Sequence, residues 1–253
     1  MRTTAENPPP PAGDTSLPAA ERRRWWQRPW MAPLGLVVVL FLAFSLPPYL
    51  IGDPAQSRVP QPPGFPAHYP LLVAHVMFSS IAMLTCFMQV WPWFRQRHPV
   101  VHRYLGRTYV FAGVLPAGLT GLVIGALTPF GPVLAVSNVM LALLWLAFTA
   151  TGYRMARQRR YVEHRRWMLR SFALTFSILT NRIWGVIVTV ALGPSLETTF
   201  QGNETMFTWT ISGLSGWLGW TVILLVVEWW LERGRTRKRP TRARRAPDLT
   251  PVS

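Results

Sequence analysis

Two histidines in matching sequence contexts are the side chains best placed for chemistry in this chain. His102 and His164 are each followed by arginine, and each stands just before a long apolar stretch. Two neutral imidazoles on separate helices at one level can bind the iron of a heme from its two faces. The pair therefore suggests a site for one heme b, which would make the protein a membrane oxidoreductase. The alternative is a structural role, in which both imidazoles bond loop carbonyls or lipid phosphates.

Further polar side chains lie inside the apolar stretches. Such groups are costly at bilayer depth, so they normally face the interior of a helix bundle and mark functional sites. At 100° per residue, Ser171 and Arg182 fall within about 20° of His164 on one helix face, and Tyr109 shares the face of His102. The sequence therefore predicts a polar core that binds a ligand or a partner, formed by His75, Gln89, Tyr109, Asn138 and Arg182.

No pattern of a known catalytic or metal site accompanies these residues. The sequence lacks a Cys/His metal spacing, a phosphate-binding glycine loop, a zinc-protease helix and a nucleophile elbow. Its one cysteine excludes an internal disulfide framework. We therefore assign no catalytic residue and no metal ligand, and the sequence favours a protein that is not an enzyme.

The elements that must position these residues are membrane helices. Of the 253 residues, 50% are hydrophobic and only 14% are charged, whereas soluble proteins carry about 25% charged residues. A helix needs roughly 20 apolar residues to cross the hydrocarbon layer. The sequence therefore predicts an all-α, polytopic membrane protein, a six-helix transmembrane bundle whose spans cover residues 31–51, 70–91, 108–128, 132–152, 167–192 and 207–231.

The basic residues give this bundle a direction. All of the 26 basic residues except Arg58 and Arg182 lie before the first span, between the second and third, between the fourth and fifth, in the first turn of the fifth, which holds Arg170, or after the sixth. Positively charged segments stay in the cytoplasm, so both termini are predicted to be cytoplasmic in a bacterial cell membrane. We expect these arginines to bind anionic lipids and no nucleic acid. The sequence identifies no protein partner.

The ends of the chain differ in composition from the spans. Residues 1–30 are rich in proline and arginine, and residues 232–253 are strongly basic. Neither segment has the apolar content for a packed core, so we expect a disordered leader and a disordered tail around a membrane domain at residues 31–231. Residues 52–69 are rich in proline and are expected to form an extended outer loop.

Several of these residues together suggest a family. His75 and Gln89 are followed by His-Arg-x-Leu-Gly-Arg-x-Tyr from His102, by Trp145, and by His-Arg-x-Trp-Met-x-Arg-Ser from His164. In this pattern the chain resembles the bacterial predicted membrane proteins called domain of unknown function 2306. The likeness covers residues 71–190, and it implies an architecture without naming a reaction.

A more distant likeness is to transmembrane diheme cytochromes of the ascorbate-reducing type. Their four-helix core pairs histidines on alternate helices, and His102 with His164 would match one such pair. The second pair would need a histidine on the fourth span opposite His75, and this chain has none there. The resemblance therefore implies at most one heme.

Three functions remain as alternatives. The first is a non-enzymatic membrane protein that binds a ligand or partner through its polar core. The second is a membrane redox protein with one heme b between His102 and His164. The third is a small transporter, although no inverted repeat is visible in the sequence.

Overall fold

Helices form every regular element in the computed structural model, which describes residues 30–236. The predicted leader, apart from Trp30, and the predicted tail from residue 237 onward lie outside this range. The all-α prediction is confirmed for the described part. The helices are α1 Met31–Ser45, α2 Pro47–Leu50, α3 His68–Val90, α4 Pro92–Arg97, α5 Pro99–Arg107, α6 Leu115–Ala126, α7 Pro132–Arg157, α8 Tyr161–Leu192 and α9 Glu204–Thr236.

Within residues 30–236, five helical stretches are long and apolar enough to cross a membrane. At 1.5 Å per residue, even the shortest of them extends about 35 Å, more than the roughly 30 Å of hydrocarbon. These five stretches are His68–Val90, Pro99–Ala126, Pro132–Arg157, Tyr161–Ser195 and Glu204–Arg233.

The two ends of the bundle differ in their connections. We call the end with connections 91–98 and 158–160 the basic end, and the end with connections 52–67 and 127–131 the proline end.

The first predicted span is interrupted. Helix α1 has 15 residues and is followed by the four-residue α2. Leu46, between them, keeps helical backbone angles (φ −74°, ψ −41°), but Pro47 and Pro48 cannot donate backbone hydrogen bonds. The break therefore reflects two missing backbone donors.

Two helices begin earlier than their predicted spans. The third predicted span starts at residue 108, whereas the helical stretch starts at Pro99, and α8 starts at Tyr161 instead of residue 167. Apolar content marks where a helix meets lipid, but a helix continues into polar turns that still form backbone hydrogen bonds. His102 and His164 consequently lie within the first turns of their helices.

A wide turn separates α5 from α6. Residues Thr108–Val114 form a π-helix, in which the Leu115 amide donates to the carbonyl of Val110. Pro116 follows, and a proline ring crowds the carbonyl four residues before it, so a wider turn relieves this contact. The π-helix also carries Tyr109 and brings Gly113 so close to Ala82 of α3 that an added Cβ would lie 2.9 Å from Ala82 Cα.

The core lies between α3, the π-helix, α6, α7, α8 and α9. Its buried members include Cys86, Tyr109, Trp145, Leu174 and Trp220. Helix α1 packs on the side of this bundle through Val38 and Leu42, which contact Met83. The outward side of α1 is apolar and uncovered: Leu36, Val39, Leu40 and Phe44 are each 58–60% exposed. Such a surface is stable in lipid and not in water.

Candidate functional site

Tyr109 is the centre of the polar interior. It is completely buried, and its Oη lies 2.6 Å from Ser171 Oγ and 2.7 Å from Thr175 Oγ1. The π-helix supplies the tyrosine and α8 supplies both hydroxyls. The structure therefore brings together the two helix faces that the sequence marked as polar, one from His102 onward and the other from His164 onward.

Helix α7 completes this group with two side chains. Trp145 Nε1 donates to Thr175 Oγ1 at 3.0 Å, and the Thr149 hydroxyl lies 2.6 Å from Ser171 Oγ. Neither residue was among the predicted site residues. Their i, i+4 spacing on one helix face was visible in the sequence, but a tryptophan in an apolar stretch is also typical of ordinary packing. We call Tyr109, Trp145, Thr149, Ser171 and Thr175 the hydroxyl network.

The hydroxyl network is closed on itself. Thr149 also donates to the Trp145 carbonyl at 2.7 Å, and Thr175 donates to the Ser171 carbonyl at 3.0 Å. Buried polar groups that are fully bonded fix one arrangement of the helices around them. This part of the predicted polar core therefore holds the π-helix, α7 and α8 together through side-chain hydrogen bonds.

His75 lies between α3 and α6. Its Nδ1 is 2.9 Å from the Ala117 carbonyl, and its Nε2 is 3.3 Å from Ser79 Oγ. Gly121 leaves room for the ring, since a Cβ there would lie 3.0 Å from His75 Cε1. Both ring nitrogens are thus occupied by neighbours, which is typical of a histidine that joins helices.

Asn138 and Arg182 lie apart from the hydroxyl network. Asn138 packs its Cβ against α6, where a Cβ added to Gly125 would lie 2.8 Å away. The Arg182 side chain is exposed on the surface of α8. This placement corrects the expectation that Arg182 faces the interior with Ser171.

The residues through which α8 packs on α9 explain this correction. Near the proline end α8 packs on α9, where the Thr180 hydroxyl donates to the Gly219 carbonyl and Asn181 lies against Gly219. Consecutive residues of a helix point about 100° apart. With Asn181 facing α9, Arg182 is therefore turned away from it.

The two histidines of the proposed heme site lie at the basic end. His164 Nδ1 is 2.8 Å from the Gly152 carbonyl of α7. His102 lies in the first turn of α5, as His164 does in α8. Gln89, nearly buried at the end of α3, donates from Nε2 to the His102 carbonyl at 2.7 Å. We call His102, His164 and Gln89 the histidine site.

One atom of the histidine site stands out. His102 Nδ1 is buried, and no hydrogen-bond partner for it is found among the described residues. An unsatisfied buried polar atom costs about 1–3 kcal/mol, so such atoms usually indicate a water or ligand that completes them. The sequence singles out His102 as a candidate, but only the packing reveals the unpartnered nitrogen.

Positive charge surrounds the histidine site. Some arginines of the basic end are neutralised, since Arg170 forms two hydrogen bonds with Glu228, and Arg166 lies 3.8 Å from Glu232. For seven others no ion pair with a described residue is found, and all seven side chains are exposed: Arg97, Arg103, Arg107, Arg154, Arg157, Arg159 and Arg165. The basic end therefore suits an anionic ligand.

Long apolar helices around a closed hydroxyl network define an integral membrane protein with several candidate spans. The chain belongs to a family described as predicted membrane protein, domain of unknown function 2306, whose sequence profile matches residues 72–231. This match confirms the predicted family and extends it beyond residue 190 to include most of α9. No curated protein and no solved structure matches the chain, so the likeness to diheme cytochromes stays a prediction.

Proposed function

We propose that this protein is a non-enzymatic membrane protein that binds a phosphate group of an anionic lipid at the histidine site. The observation that carries the proposal is the buried, unpartnered Nδ1 of His102. The proposal includes six spans, with both termini on the cytoplasmic side of a bacterial cell membrane. The basic end then lies at the inner leaflet.

The sixth span in this proposal is α1 together with α2. Residues 31–50 extend about 30 Å at 1.5 Å per residue, which matches the hydrocarbon thickness. Leu50 and Ile51, at the far end, are 67% and 63% exposed, as expected for side chains in contact with lipid. The orientation follows from the arginines, because positively charged loops remain in the cytoplasm.

The chemistry of the histidine site fits a phosphate. The bond from His164 Nδ1 to the Gly152 carbonyl leaves Nε2 on the far side of the ring. A phosphate oxygen, or a water bound to it, would complete the unpartnered nitrogen of His102. Exposed Arg103 and Arg165, each next to one of the histidines, would add charge-assisted hydrogen bonds, which are the stronger kind.

Lipid titration tests this proposal. In native mass spectrometry of the detergent-solubilised protein, we expect phosphatidylglycerol to remain bound where phosphatidylcholine does not. His102→Ala and His164→Gln should each weaken phosphatidylglycerol binding by about tenfold, the equivalent of about 1.4 kcal/mol. His98→Gln is the matched control, because His98 lies at the same end but packs edge-on against Trp93 with ring centroids 5.5 Å apart. Equal binding of the two lipids, or an equal loss in all three variants, would contradict the proposal.

A heme b between His102 and His164 is the second candidate. It is favoured by the bond from His164 to Gly152, because heme and metal ligands commonly anchor their second ring nitrogen to a carbonyl. Seven residues beyond the two histidines, however, Tyr109 and Ser171 are in direct hydrogen bond. A porphyrin would therefore have to fit between two helices that are in contact only about two turns beyond the histidines. An absorption spectrum decides: a Soret band that His102→Ala abolishes would replace the lipid proposal with a redox function.

Transport is the least supported of the three candidate functions. A transport route needs polar groups that open toward water or a solute at the middle of the membrane. The hydroxyls of Tyr109, Thr149, Ser171 and Thr175 are bonded to one another instead. That arrangement favours a packed bundle.

A further inference from the structure

Arg182 places a charge deep in the proposed membrane region. It lies ten residues before the end of α8 and twelve residues after Arg170, which corresponds to about 15 Å and about 18 Å along the helix axis. Both distances exceed the length of an arginine side chain. The guanidinium therefore cannot leave the hydrocarbon layer by extending along the helix.

No other described residue neutralises this charge. The structure shows no hydrogen bond or ion pair from Arg182 to any residue of the described part, and its side chain is exposed. Glu228 on the neighbouring α9 is already bonded to Arg170. Glu197 and Glu204 follow the end of α8. An arginine at the centre of a helix in lipid costs about 2.5–3.5 kcal/mol on insertion scales, so the bilayer alone is a poor environment for this face.

The surface around Arg182 has room for another helix. Gly185, Val186 and Thr189 lie within about 60° of Arg182 on α8. Apart from the adjoining backbone of α8, no atom of the described residues lies within 4 Å of a Cβ built on Gly185. Val186 is 65% exposed, and the Thr189 hydroxyl is bonded within α8 to the Gly185 carbonyl at 2.7 Å. Small residues at a membrane helix surface allow a second backbone to approach closely. We call these four residues the Arg182 face.

We propose that the Arg182 face binds a transmembrane helix of a different protein that carries an aspartate or glutamate at the same depth. A carboxylate would neutralise the guanidinium and accept two parallel hydrogen bonds from it. A second copy of this chain fits poorly, because a symmetric contact would place Arg182 against Arg182 and α8 carries no acid at that depth. This interface lies on the lipid-facing side of α8. It is separate from the lipid-binding function proposed for the histidine site.

A defined peptide tests the charge requirement. The full-length protein, labelled with a donor fluorophore, is reconstituted in vesicles with an acceptor-labelled Leu/Ala transmembrane peptide that carries one central Glu, Gln or Leu. We expect the Glu peptide to associate about 3- to 30-fold more strongly than the Leu peptide, the range for polar contacts between membrane helices. Arg182→Gln should remove this preference, and Gly185→Ile should weaken binding of the Glu peptide by preventing close approach.

The controls separate this result from misfolding and from self-association. Arg58→Gln removes the other arginine that lies outside the basic end among the described residues, and it should leave the preference for Glu unchanged. An unaltered unfolding midpoint shows that Arg182→Gln is folded. The proposal is overturned if the Glu and Leu peptides bind equally, or if the preference survives in Arg182→Gln. It is also overturned if energy transfer between two labelled copies of the protein depends on Arg182, because the face would then join identical chains.

Discussion

Replacing Tyr109 with phenylalanine should lower the free energy of unfolding by about 1–2 kcal/mol, and replacing it with alanine by about 3–5 kcal/mol. Phenylalanine keeps the ring, which packs edge-on against Phe172 with centroids 5.2 Å apart. It removes only the Oη that bonds Ser171 and Thr175. Alanine also creates a cavity at a completely buried position.

The smaller value for phenylalanine follows from the closure of the hydroxyl network. Without the tyrosine oxygen, Ser171 still bonds Thr149, and Thr175 still bonds Trp145 and the Ser171 carbonyl. No neighbour is left entirely unpartnered, so the cost stays below the full penalty of a buried unsatisfied group. Unfolding in mixed detergent micelles, followed by tryptophan fluorescence, gives both values.

Tyr104→Phe is the control for this pair. Tyr104 is 63% exposed, and a surface substitution of this kind usually changes stability by less than about 0.5 kcal/mol. A Tyr109→Phe variant as stable as Tyr104→Phe would contradict a stabilising hydroxyl network. That result would instead favour a ligand-binding role for the buried hydroxyls.

Much of this architecture could be predicted because lipid imposes simple rules. Apolar length marks the long helices, and the helical repeat places Tyr109 on one polar face and Ser171 and Thr175 on another. The structure brings these two faces into contact. Both inferences depend on properties of a single helix, and those are encoded locally in the sequence.

Arg182 shows where such reasoning ends. The helical repeat states which residues of α8 share a face, but it does not state which neighbour covers that face at each depth. Ser171 faces the hydroxyl network. Arg182 lies about three turns further along α8 in nearly the same direction, but at that depth α8 packs on α9 through Asn181 and the Arg182 side chain is exposed. The unpartnered nitrogen of His102 is likewise a property of packing, since it depends on every atom that surrounds the ring.

The ion pair between Arg170 and Glu228 should be the other major determinant of stability. We expect Glu228→Gln to lower the free energy of unfolding by about 1–3 kcal/mol. Arg170 is only 17% exposed, and it is stacked over the Trp167 ring with 4.7 Å between the guanidinium carbon and the ring centroid. Loss of the carboxylate would leave this cation poorly solvated. Because Glu228 is 37% exposed, we place the effect below the 3–5 kcal/mol of a fully buried pair.

A double-mutant cycle isolates the pair. Arg170→Gln combined with Glu228→Gln should cost less than the sum of the two single variants, because the second change no longer strands a charge. The control is the pair Arg160–Glu163, whose side chains are 54% and 42% exposed and whose coupling should be about 0.5 kcal/mol or less. Equal coupling in the two cycles would mean that water solvates Arg170 despite its burial. In that case the Arg170–Glu228 pair contributes little to the contact of α8 with α9 near the histidine site.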